Sequence, residues 1–117
     1  VRLVDSSDCI LNSCSWLDDS ESGQASGGSL LELVRCQRIS VGHCQFLDGV
    51  PFGIDVNDSN WITIANCLLT DRRSPPLARH LVRFTGTGEA NLLDGNRLGS
   101  CQQEPLLLEA SAGVEQR

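Results

Sequence analysis

At 117 residues the chain has the length of a single domain, and it carries a formal charge of −6 with arginine as its only strongly basic residue type. No basic run and no aromatic-basic interleaving is present, which argues against nucleic acid as a partner. The mainly apolar stretches fall far short of the roughly 20 residues a spanning helix needs, so no membrane span is expected.

In chain order, the apolar residues come back at matching places. The first rung, about residues 1–28, has short apolar strands at 1–3 and 9–11 and a third that begins at Cys14 and passes through Trp16; a long connection over 18–29 follows. The second, about 29–51, repeats this at 31–33, 39–41 and from Cys44 through Phe46, with a short connection over 48–52. The third, about 52–76, has 54–56, 62–64 and Cys67 through Leu69, then a connection over 71–80. The fourth, about 77–105, has 82–84, a second strand near 90–93 with a slip of one residue, and a third from Asn96 through Leu98. A partial rung at 106–109 precedes a tail, 110–117, that is expected to be irregular.

Within each unit the apolar residues alternate, as in Ile62-Thr63-Ile64 and Ile39-Ser40-Val41, which is the period of a strand. Clusters such as Asn57-Asp58-Ser59-Asn60 supply turn chemistry between them. No segment carries a helical period of ten residues or more. A unit this short cannot bury its own apolar face and must stack on its neighbours.

The run from Asn57 through Trp61-Ile62-Thr63-Ile64-Ala65-Asn66-Cys67 to Leu69 resembles the repeat of right-handed parallel β-helices of the pectate-lyase type. The resemblance covers about residues 1–109 and implies an all-β, right-handed, three-stranded parallel β-helix (a solenoid) of four to five rungs. It also implies a tight turn after the second strand, often with an inward asparagine that stacks in a ladder. Here that place holds Cys14, Cys44, Cys67 and then Asn96. Residue 1 already stands at a repeat position with no polar cap before it, so the chain is expected to be a piece of a longer β-helix whose remaining rungs are its neighbours.

Six cysteines raise disulfides and zinc, but no Cys-x-x-Cys occurs and His43 and His80 are far apart. Because Cys14, Cys44 and Cys67 share one repeat position, and Cys9 stands where Ile39 and Ile62 do, they are read as reduced thiols filling core. Cys36 and Cys101 have no such assignment.

The alignment also assembles a candidate site. Between the two inward residues of each first strand stands one outward residue: Arg2, Glu32, Asp55, Arg83, then Leu107. Glu32 and Asp55 on adjacent rungs have backbones about 4.8 Å apart, near the carboxylate spacing of retaining glycosidases; mutual repulsion would raise one pKa for general-acid work. The same pair could hold calcium. Equally, Arg2 beside Glu32 and Arg83 beside Asp55 make opposite-charge pairs of an ordinary solvated sheet. Arg72, Arg73 and His80, in the third connection, are candidates for binding a sugar carboxylate or sulfate, with Arg2 and Arg83. Trp61 is a candidate platform for a sugar ring. Asp18-Asp19 and Gly42-His43 resemble, in order, two elements of polygalacturonases, whose Asn-Thr-Asp and Arg-Ile-Lys elements are absent.

Three functional readings follow. The first is a non-catalytic β-helix segment of a larger secreted or surface protein, acting as scaffold or carbohydrate-binding wall, with polysaccharide or surface glycan as partner. The second is part of a polysaccharide lyase or glycoside hydrolase using Glu32 and Asp55. The third is an intracellular protein-binding β-helix.

Overall fold

A computed structural model of the chain describes residues 1–17 and 28–117. The expected connection over 18–29, with Asp18-Asp19, therefore falls mostly outside the described residues.

Among the described residues, the alternating segments form fourteen short strands wound in turn onto three sheets. The first rung is β1 (Arg2–Val4), β2 (Ser7–Asn12) and β3 (Ser15–Leu17). The second is β4 (Leu31–Val34), β5 (Gln37–Gly42) and β6 (Gln45–Leu47). The third is β7 (Phe52–Asn57), β8 (Asn60–Ala65) and β9 (Leu68–Thr70), and the fourth β10 (His80–Thr85), β11 (Asn91–Asp94) and β12 (Arg97–Leu98). Two further strands, β13 (Leu106–Leu108) and β14 (Val114–Gln116), begin a fifth.

The first sheet runs β1-β4-β7-β10-β13, the second β2-β5-β8-β11-β14 and the third β3-β6-β9-β12, with every pairing parallel. This is a three-stranded parallel β-helix. Stacking in register turns the alternation into inward columns, such as Leu33–Val56–Phe84 and Val41–Ile64–Leu93. Their middle members are almost wholly buried. Trp16 stacks on Phe46 with ring centroids 5.4 Å apart. Leu3, Leu11, Leu106 and Val114, on the end rungs, are only partly buried.

Two expectations are corrected, and a third, the slip of one residue, is borne out and located. Residues 110–117 are not an irregular tail: Ala110–Ala112 form a 3-10 turn, and β14 pairs with β11 through Asn91↔Val114. Val114 packs on the core there, a single apolar contact too short to show as a period in sequence. The slip of one residue lies in the turn before β11, since Thr85 is in register with Asn57 but Leu92 with Thr63. Asn91 thereby takes the inward place held by Ile39 and Ile62. Finally, β7 and β10 begin at Phe52 and His80, so His80 belongs to a strand and not to the connection before it.

The corners repeat as the strands do. Asp5, Arg35 and Asp58 share a left-handed backbone in the first turn, and Ser13, His43, Asn66 and Gly95 share one in the second. Polar residues inside the turns bracket adjacent rungs. Asn96 accepts the Cys67 amide at 2.9 Å and donates to Ile64 O, while the Cys14 amide donates to Cys44 Sγ at 3.4 Å. Cys44 and Cys67 are buried as expected; Cys14, on the end rung, is exposed. Cys36 joins a second column in the first turn with Ser6 and Ser59, each donating to the carbonyl two residues back. All six thiols are free.

Candidate functional site

The outward residues of the first sheet stand in one ladder, with Arg2 opposite Glu32, Glu32 opposite Asp55, Asp55 opposite Arg83 and Arg83 opposite Leu107. Period-two alternation turns all five away from the core, and parallel register aligns them along the helix. The sequence-predicted neighbours are thus brought together.

Each acid is engaged by an arginine from the adjoining rung. Arg83 grips Asp55 with two parallel bonds of 2.9 and 2.8 Å, the bidentate geometry that makes such pairs strong. This hydrogen bonding raises the Arg83 pKa further above its usual value, against the opposing effect of burial. Glu32 lies 3.4 Å from Arg2 and takes the Ser29 amide at 3.1 Å on its other oxygen. Gly28 makes room for that oxygen; its φ of +96° favours glycine, and a Cβ there would lie 2.0 Å from Glu32 Oε1.

Beside this ladder the sequence-predicted candidates Arg83 and His80 are joined through Phe52, which the repeat alignment did not single out. The Leu81 and Val82 amides both donate to Pro105 O, the pattern of a bulge. Near it, the Arg83 guanidinium lies 4.3 Å from the Phe52 ring centre, within cation–π range. Phe52 in turn stacks on His80 at 5.9 Å. His80 is buried, with Nδ1 2.6 Å from Glu104 O. Extending the alignment two residues upstream would have paired Phe52 with His80, because they share register.

Arg72 and Arg73 stand in the connection between β9 and β10. Arg72 bonds Asp48 at 2.7 Å, and Arg73 bonds Asp71 at 2.8 Å and Asp48 O at 2.7 Å. Burial alone would push the Asp71 carboxyl up, but the Arg73 side chain and the amides of Ala78, Arg73 and Leu77 hold it at about 2. Burial works the same way on Asp48 and is likewise outweighed, chiefly by the Arg72 guanidinium, so its carboxyl lies below the usual range. This network ties the connection to the coil.

Trp61 stands apart on the second sheet, 59% exposed. His43 is exposed in the turn after β5. Among the described residues, no group of three or more His, Cys, Asp or Glu side chains is placed to hold a metal ion. No helix there is long and apolar enough to cross a membrane. No known protein family, curated protein or solved structure matches the chain.

Proposed function

We propose that the chain is a non-catalytic β-helix segment of a larger secreted or surface protein, pectate-lyase-like in its coil, serving as a scaffold with a carbohydrate-binding wall. The observation carrying this reading is the closed charge ladder. Arg2 and Arg83 occupy the two carboxylates that general acid–base chemistry would need, and they hold them as ion pairs. A face neutralised within itself suits rigid support more than turnover.

One observation favours a second reading, part of a polysaccharide lyase or hydrolase: Asp55, Arg83, Phe52 and His80 form one contiguous cluster with Glu32 in register beside it. Affinity electrophoresis against a panel of polysaccharides, with assays for reducing ends and unsaturated products, separates the two. The scaffold reading expects retardation without product. Product formation that disappears in Asp55→Asn would replace it with the enzymatic one.

A further inference from the structure

The outer face of the second sheet carries an open groove of about 550 Å³ along the fourth and fifth rungs, which plays no part in the first-sheet ladder. Its shape follows from one column of backbone. Asp8, Arg38, Trp61, Ala90 and Gly113 occupy the same place in five successive rungs, all left-handed, with φ between 55° and 64°. The bend is therefore a property of the coil, whereas the residue placed on it is free to vary.

From Trp61 onward the side chains shrink to a methyl group and then to hydrogen. The indole thus stands above a space two rungs deep, about 10 Å at ordinary strand spacing. Thr63, Leu92 and Glu115, the next outward column, wall one side.

Tryptophan is a poor choice here on structural grounds. A bulky side chain resists the left-handed region, and at 59% exposure it regains little through burial. Strain of this kind persists where a function uses it. An exposed indole beside a concave surface with a few convergent polar groups is the chemistry of sugar recognition: the ring takes an apolar C–H face, and hydroxyl and carboxylate groups take sugar hydroxyls. Near the groove Arg117 lies on Glu115 at 3.3 Å and Arg38 pairs with Asp8 in the Trp61 column, while the exposed Glu89, beside Ala90, adds an acid. Among the described residues, such a rim has no surplus cation for a uronate or a sulfate.

We propose that this groove binds a pyranose unit of an uncharged polysaccharide, stacked on Trp61, with the Thr63 hydroxyl and the Glu115 carboxylate taking its hydroxyl groups. The assignment rests on the carbohydrate-wall reading and gives it a place and a ligand class.

Calorimetric titration of the chain with soluble oligosaccharides of neutral β-glucan, xylan and mannan, and with oligogalacturonate, tests it. At least one neutral oligosaccharide is expected to bind, at least tenfold more weakly to Trp61→Gly and several-fold more weakly to Glu115→Gln, but unchanged to Arg35→Gln. Glycine suits the left-handed backbone, and circular dichroism verifies that this variant is folded. Neutral-sugar binding that survives Trp61→Gly overturns the location and leaves the wall reading standing. Binding of oligogalacturonate alone, lost in Arg83→Gln, overturns the groove and moves the wall to the first sheet. No binding by any of the four overturns both.

Discussion

The side-chain oxygen of Asn91 accepts the amide of Ile62 from the neighbouring rung at 2.8 Å, and the Asn91 amide donates to the carbonyls of Ser59 and Ala112 on either side. One buried asparagine thus clamps three rungs at a place where earlier rungs carry isoleucine. Asn91→Leu, close in volume, should lower the urea unfolding free energy by about 2 kcal/mol, because the buried Ile62 amide loses its acceptor. An unchanged midpoint would show the bracket to be neutral.

Thiol reactivity should follow the columns. Under denaturing, non-reducing conditions all six cysteines are expected to titrate as free thiols. In the native chain Cys14 should react first, and Cys36, Cys44 and Cys67 only as fast as the coil opens. Burial also raises the Cys67 thiol pKa, slowing it further. Two or more disulfides would contradict the packing assignment.

Acid should act through Asp71. Its folded pKa, about 2, lies below its ordinary 3.8, so its contribution is complete above about pH 4 and is lost as the pH falls through 2. The gap corresponds to roughly 2 kcal/mol, for a side chain with no solvent exposure. Urea midpoints of the wild type and Asp71→Asn, measured between pH 5 and 2, should converge by that amount toward the acid end.

The Asp55–Arg83 pair should contribute less. Both side chains are partly exposed, so a double-mutant cycle with Asp55→Asn and Arg83→Gln is expected to give a coupling of about 1 kcal/mol that shrinks in high salt. A coupling near zero would remove its structural role.

Trp61→Gly should leave thermal stability unchanged or raise it by up to about 1 kcal/mol, because glycine relieves the left-handed strain and little packing is lost. A large loss of stability would mean that the indole packs where the fold places it exposed.

The strands were legible because each inward column is apolar and the period of two is local to the chain. The ladder Arg2–Glu32–Asp55–Arg83 was legible too, since register follows once the repeats are aligned. Other features were hidden for definable reasons. Asn91 breaks the apolar pattern, so it reads as a slip; only the hydrogen bonds of adjacent rungs show it to be a core residue. Residues 114–116 have too few apolar side chains to show a period, and they become a strand because β11 offers them an open edge. Phe52 and His80 lie outside the three-residue motif and join the face beside a bulge in β10.

Sequence by itself determined the coil: which residues face inward, how they stack, and which charges share a face, all of which depend on periodicity. Tertiary structure alone decided that each acid of that face is held by an arginine, and that the open groove lies on another sheet beneath Trp61. Those outcomes depend on side-chain direction and on the size of neighbours one rung away, distances that no local pattern encodes.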